Sequence, residues 1–448
     1  MGSDLLTIAR SGANASRAAL NITAQNIANA SSEGYVRRSI GLSELSAYSG
    51  MASASGISLA GVRVSGIVRN ADLFRQAEVR RTGSDAARAG AELQGLENIE
   101  AALEQTQVFD SIVAFEGSLQ QLVSDPTDGS LRAAVIESGR TLAQTFNVAA
   151  SSLEAVGSGL RFEANNGVEA VNRISGELAR VNLRLSRVAD ASSDQTTLLD
   201  QRDSLLQQLS EHVDVTTSFA ADTTVTVTIG GSPGGTLVQG GSTNSLAMAT
   251  APNGTVSFTL GGSALTPASG SLAGQSLALT ELDSARTRLD DLATGTLGIA
   301  TTLNAAQAAG ADLDGNPGQP LFSSTGAADL ALVAASGSQI AAAPAGAAPN
   351  SRDPANLVAM RNAFATNDPA GAMDALLFDV SSAVAGRSVT RQALDSIAST
   401  ALIALQAQAG VDLDQEAVNL VRYQQAFQAS GRVMQVASDL FDTILGIR

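Results

Sequence analysis

The chain has 448 residues, enough for two to four domains, and carries no cysteine, no tryptophan and a single histidine. Thiolate chemistry, disulfides, cysteine zinc sites and His-rich metal sites are therefore excluded, and 3% aromatic residues are too few for a stacking surface that reads single-stranded nucleic acid. The net charge is −16 and every Lys/Arg position is arginine, so nucleic acid and anionic membrane are poor partners.

The charge is unevenly placed. Residues 1–95 hold ten Arg against seven acids and residues 385–448 five against six, which leaves −18 on residues 96–384. Near-neutral ends can pack against copies of themselves, while an acidic middle suits solvent. The N-terminus lacks a basic flank followed by an apolar run, and no apolar stretch is long enough to span a bilayer. A soluble chain without a cleaved leader is the expectation.

From Asp4 to Ala30, Leu6, Ala13, Leu20 and Ile27 recur at sevens, flanked by Leu5, Ile8, Ala9, Ala19 and Ile22. This predicts a helix with a wide apolar stripe whose small residues let a partner approach closely. Ser31, Ser32 and Gly34 stop it, and residues 36–67 read as an extended arm with short strands. Helical pattern returns at about Val68 and keeps its spacing through Leu96, Ile99 and Leu103, until Asp125-Pro126-Thr127-Asp128-Gly129 breaks it. From Leu131 to His212 the pattern is again helical, with Val171, Ile174, Leu178, Val181, Leu185 and Val188 forming a three-heptad seam that predicts a helical bundle.

At residue 213 the period changes. Val225, Val227 and Ile229 alternate with threonines, Pro252-Asn253-Gly254 signals a tight turn, and Val256, Phe258 and Leu260 alternate again. No arginine falls between Arg202 and Arg286. Residues 213–280 thus read as a small inserted all-β domain. Helix resumes from about Leu277 to Ala309, a loop and a short apolar piece at Leu330–Val333 follow, and helices run from Pro354 almost to the end.

The last run, Val411 to Arg448, carries the most regular seam. Leu413, Leu420, Phe427, Met434 and Phe441 recur at sevens, with Tyr423, Ser430, Ala437 and Ile444 as companions. Asp412, Asp414 and Glu416 suit the positive helix end. Such a helix would be about 50 Å long, and one exposed seam of that length needs a partner helix. The N-terminal helix is that partner. The predicted fold is mainly α with an inserted all-β domain: paired terminal helices in a coiled-coil-like layer (1–67 with 385–448), a long helical bundle (68–212 with 281–384), and the β domain (213–280) at the far end from both termini.

Three stretches carry a resemblance. Ile22-Thr23-Ala24-Gln25-Asn26-Ile27-Ala28-Asn29-Ala30 followed by Gly34-Tyr35 is similar to the signature of flagellar rod, hook and hook-associated proteins. Leu199-Asp200-Gln201-Arg202-Asp203, with Leu205, Leu206 and Leu209, resembles a segment of the flagellar hook-associated protein 1 family. Gly410 to Leu420, then Tyr423-Gln424-Gln425-Ala426-Phe427 and Asp439 to Leu445, resembles that family's C-terminal signature and is the most specific of the three. Ser31-Ser32-Glu33 departs from the usual Asn-Thr-x before Gly-Tyr, and the β region is short for the family.

The resemblance implies a non-enzymatic structural protein of the hook-filament junction, exported through the flagellar type III apparatus to the outside of the cell. Implied partners are copies of itself, the hook protein, the second hook-associated junction protein, and an export chaperone at the C-terminal helix. The expected assembly interface is Leu6, Leu20, Asn26, Ile27, Asn29, Gly34 and Tyr35 with Leu413, Leu420, Tyr423, Phe427, Met434, Phe441 and Ile444. Alternatives are another axial protein, hook protein or flagellin, and a secreted coiled-coil adhesin with a Thr-rich β head.

Sharper chemical readings are weaker than plain ones. Asp312-Leu313-Asp314-Gly315-Asn316 opens like a calcium loop, but an EF-hand counted from Asp312 would need Gly at Pro317 and Glu at Ser323, so a polar turn is expected. His212 with Asp214 lacks any nucleophile elbow and suits a helix C-terminus. Arg37-Arg38 and Arg80-Arg81 read as solvated or paired charges. No cofactor, metal or catalytic residue is expected.

Overall fold

The structure, a computed structural model, describes residues 2–32, 34–47, 58–231 and 234–446. Glu33, residues 48–57, Ser232-Pro233 and the side chain of Ile444 lie outside the described residues. The chain is mainly helical, as its periodicity predicts, and its packing forms two units: Met1–Ser84 with Ala170–Leu246 and Asp395–Arg448, and Asp85–Glu169 with Ala247–Leu394.

The first unit holds both termini. Helix α1 (Gly2–Ala28) is followed by the antiparallel strands β1 (Arg38–Ala47) and β2 (Ser58–Arg69), the first part of α2 (Leu73–Glu104), and, after α3 (Val108–Ser124), the last part of α4 (Gly129–Leu185). Then come α5 (Ser193–His212) and strands β3 (Thr216–Phe219), β4 (Val225–Ile229), β5 (Gly235–Gln239) and β6 (Ser242–Thr243), which form one antiparallel sheet in chain order. The predicted arm is thus one long hairpin. Helix resumes at Leu73 rather than at Val68, because Val68 pairs with Ser39 in the ladder.

The heptad seam at Val171 to Leu185 is buried throughout, but it packs beside strands. Asn182 Nδ2 donates to the carbonyls of Val225 (2.8 Å) and Gly240 (3.0 Å), and its Oδ1 accepts from Val225 N. Ten residues earlier, Asn172 exchanges two bonds with the Leu246 backbone. Both amides satisfy strand groups that would otherwise be buried and unpaired. A seven-residue apolar repeat marks a buried helix face without saying what covers it.

The second unit is a helical core. It contains the rest of α2 and α4, α3, the hairpins of β7 (Leu246–Thr250), β8 (Val256–Leu260) and β9 (Ser263–Leu265), then α6 (Ser271–Thr294), α7 (Ile299–Ala308), α8 (Ala355–Asn367) and the first part of α9 (Pro369–Ala409). Phe115 sits at its centre, edge-on to Phe322 and Phe364 with centroids 5.9 Å away in each case. The predicted helix from Leu277 to Ala309 starts earlier and is broken at Gly295–Gly298, where a Cβ on Gly298 would fall 2.6 Å from Gly295 N.

Packing therefore groups the chain differently from the three parts read in the sequence. Residues 213–280 do not make one sheet: β3 to β6 pair among themselves, β7 to β9 form another sheet, and residues from Ser271 already belong to α6. Asp312 makes the expected polar turn, its Oδ1 accepting from Asp314 N (2.9 Å) and Asn316 N (2.8 Å). His212 ends α5, and burial with the nearby Arg173 charge pushes its imidazole below the usual range.

Candidate assembly interface

Helix α10 (Leu413–Gly446) starts at the cap Asp412, whose carboxylate accepts from the amides of Asp414 (3.0 Å) and Gln415 (3.1 Å). It lies antiparallel to α1: Gly12 meets Ser430, and beyond the other end of α1, Arg37 pairs with Glu416. A Cβ on Gly12 would stand 3.0 Å from Ser430 Oγ, so the stripe of Ala9, Gly12, Ala13, Ser16 and Ala19 sets a close approach. This is the predicted pairing of the termini.

The pairing covers only part of the predicted seam. Ala437 is buried, and Leu20, Leu420, Tyr423, Ser430 and Met434 are half-buried. Leu6, Ile27, Leu413, Phe427 and Phe441 remain exposed, Phe427 by 43%. A second stripe, which the seven-residue count passes over, lies on another face of α10: Val418, Val421, Val433, Val436 and Leu440 are all exposed. At about 3.6 residues per turn they all fall within roughly a third of the helix circumference, on one side. Exposed Leu5 and Ile8 on α1, and Leu42, Val64 and Val68 on the hairpin, extend the apolar surface. Between α1, α10 and β2 runs an open groove of about 360 Å³ lined by Ile8, Gly12, Gly61, Ala429 and Val433.

Behind this surface the three signature stretches meet at the root of the hairpin. Asn26 is 1% exposed; its Nδ2 donates to Arg38 O (2.8 Å), and its Oδ1 accepts from Arg38 N (3.0 Å) and Tyr35 Oη (2.9 Å). Gly34 takes φ +74°, a conformation that favours glycine, to turn the chain into that contact. Arg37 Nε reaches Glu416 Oε1 at 2.7 Å, and its amide donates to Ala409 O. Arg38 Nη2 reaches Asp200 Oδ2 at 2.6 Å. Tyr35, Arg37 and Arg38 thus each hold a different one of the three stretches. Asn29 sits at the helix end, donating to Gln25 O.

The middle stretch is the anchor. Arg69 bridges Asp200 (2.7 Å) and Asp203 (2.9 Å), Arg202 pairs with Asp203 (2.7 Å), and Gln76 donates to Asp203 Oδ2 (2.9 Å). Arg202 also donates to Thr223 O (2.8 Å) and stacks 4.6 Å from the Phe219 ring centroid. Burial alone would raise the Asp203 carboxyl, but the Arg202 and Arg69 guanidiniums and their hydrogen bonds hold it below the usual carboxylate range. Burial pushes the Tyr35 hydroxyl up against the opposing pull of Arg38.

Acid should act here. A carboxyl whose folded pKa is depressed contributes stability above its unfolded value, about 3.9, and loses it as pH falls through the lower folded value. The first unit is therefore expected to hold from neutrality down to the carboxylate range and to lose stability below it. Tm of the wild type against an Asp203→Asn chain between pH 7 and 2.5 checks this; equal acid slopes would contradict it.

Sequence reasoning placed Asn26, Gly34 and Tyr35 in the interface; in the structure Asn26 is buried, Tyr35 is half-buried and bonded to it, and Gly34 is exposed. It read Arg37 and Arg38 as solvated or paired charges, and the structure pairs them with Glu416 and Asp200, partners that the sequence did not name. The position of the two arginines directly after Gly34-Tyr35 was the available signal.

The fold is that of a mainly α protein whose terminal helices pair and keep apolar side chains exposed, and among the described residues no helix is long and apolar enough to cross a membrane. Residues 6–35 match the family Flagella basal body rod protein and residues 405–447 match Flagellar basal body rod FlgEFG protein C-terminal. Residues 93–322, just over half the chain, match Flagellar hook-associated protein FlgK helical domain, and the chain belongs to this family of structural proteins of the bacterial flagellum, found at the hook-filament junction. It is similar to the flagellar hook-associated protein 1 of Bacillus subtilis (strain 168), 27% identical over 98% of this chain and 97% of that one. That of Salmonella typhimurium is 30% identical over 72% of this chain, which spans 59% of the relative's length. The structure of the flagellar hook junction protein FlgK from Burkholderia pseudomallei superposes with TM-score 0.63, covering 74% of this chain and 99% of that one at 14% identity, a likeness of fold.

Proposed function

We propose that the chain is exported and builds the junction outside the cell by stacking copies of itself through α1 and α10, with the hook protein on one side and the second hook-associated junction protein on the other. An export chaperone covers α10 before assembly. The observation that carries this reading is the exposed apolar surface of the terminal unit. Leu413, Phe427 and Phe441 with the valine stripe of α10, and Leu5, Leu6, Ile8 and Ile27 of α1, stay exposed after the intrachain pairing is complete. Surfaces of that kind on a folded chain mark interaction sites.

Phe427→Asp tests it. Phe427 is 43% exposed in the single chain and outside its buried core, so the substitution should change the stability of the isolated protein by no more than about 0.5 kcal/mol. In the assembled state it would bury an unpaired charge, at a cost of several kcal/mol. Cells carrying only the variant should build hooks and shed filament subunits into the medium. Normal swimming would remove Phe427 from the interface, and unfolding of the isolated variant would place it in the monomer core.

A further inference from the structure

The hairpin of β1 and β2 is held at its root by directional polar contacts on three other elements. Arg38 and Arg69 reach Asp200 and Asp203 on α5, Arg37 reaches Glu416 on α10, and Asn26 of α1 takes the Arg38 backbone. One backbone bond, Ile67 N to Ala191 O (2.9 Å), adds a fixed point beside α5. Along the outer part of the ribbon, Leu42 and Val64 are exposed, and Ser11 Oγ on α1 accepts from Val62 N (3.1 Å). An ion pair fixes direction as well as distance, whereas apolar contact alone tolerates sliding.

We infer that the charge chain Arg38-Asp200-Arg69-Asp203-Arg202 is a positioning latch. It sets the hairpin, and through Arg37 and Asn26 the exposed faces of α1 and α10, in the one geometry that a neighbouring copy meets. When it opens, the hairpin and the terminal helices move as a unit while α5 and its sheet stay folded. The latch deepens the assembly reading above and rests on it only for the assembly readout. Asp200 is the central element because it faces both hairpin arginines and lies on the folded side.

The test is Asp200→Asn in the full chain, which keeps the shape and removes the charge, read by amide hydrogen exchange and by self-association in sedimentation. Amides of residues 38–44 and 62–69 should exchange at least tenfold faster. Those of β4, β5 and residues 170–185 should stay at the wild-type rate, and self-association should fall at least tenfold. Arg38→Lys, which keeps the charge on a flexible stem, should produce the smaller change of the two. Faster exchange spread evenly over the unit would show a plain stability role and overturn the latch, as would unchanged hairpin exchange. Faster hairpin exchange with normal self-association would show that the latch does not position the interface. Loss of association in Phe427→Asp with normal association in Asp200→Asn would leave the assembly reading standing and remove the latch alone.

Discussion

Deleting residues 220–279 and joining the ends through a short Gly/Ser bridge is expected to destroy the cooperative unfolding of the chain. Read as a separate β insert, this stretch would be dispensable. Its last nine residues instead begin α6, where Leu272, Ala278 and Leu279 are almost fully buried, the last two in the helical core of the second unit. Its strands bury Val225, Val227, Ile229, Leu237 and Val238 at 0–1% exposure. Asn172 and Asn182 on α4 would lose their strand partners. Each large buried aliphatic side chain lost costs about 2–5 kcal/mol, so a handful exceeds the roughly 5–15 kcal/mol that holds a domain together. Calorimetry of the deletion should show a broad, low-enthalpy transition. A sharp transition at the wild-type temperature would mean that the strands and the start of α6 fold apart from the helices.

Asp203→Leu should be the most damaging single substitution at the junction. It leaves Arg69, Arg202 and Gln76 facing an apolar side chain in a place where Arg69 and Arg202 are almost completely buried. Removing one partner of a buried ion pair costs about 3–5 kcal/mol, because the remaining charge keeps its desolvation penalty without an acceptor. Unlike Asp200, which faces only the hairpin arginines, Asp203 also pairs with Arg202, which holds the Thr223 carbonyl and Phe219 beside α5. The loss should therefore appear in urea as a lower midpoint for the whole unit that holds the termini, with the Phe115 core melting as before. Exposed pairs in the same chain, such as Arg140 with Glu137, should give changes below about 1 kcal/mol on the corresponding substitution. A midpoint shift for Asp203→Leu as small as that would show that the charge chain contributes little to the fold.

Some of this was open to reading from residues alone. Seven-residue spacing in α10 and α1, with small residues on α1, determined that the two ends are amphipathic helices and that each needs a partner, because a long amphipathic helix has no stable state without one. Alternation at Val225 to Ile229 determined strands, since only a period of two buries every second side chain. The absence of cysteine and the single histidine determined that thiol and His-cluster chemistry is not available, whatever the fold.

Other features exist only in three dimensions. Arg37 and Arg38 read as solvated or paired charges, but no partner can be named until Glu416, 379 residues away, and Asp200, 162 residues away, are brought beside them. The seam at Val171 to Leu185 repeats like a coiled coil, yet whether strands or a helix lie beside it depends on where Val225 and Leu246 come to rest. The valines of α10 fall on a face that competes with the heptad count, and only the position of α1 decides which face is covered and which stays open. Periodicity is a local property of one helix, and so the sequence by itself determined which segments are helices and strands and which faces are apolar. Partner choice is settled by long-range packing and by charges that find one another only when the chain has folded, and that part the tertiary structure alone decided.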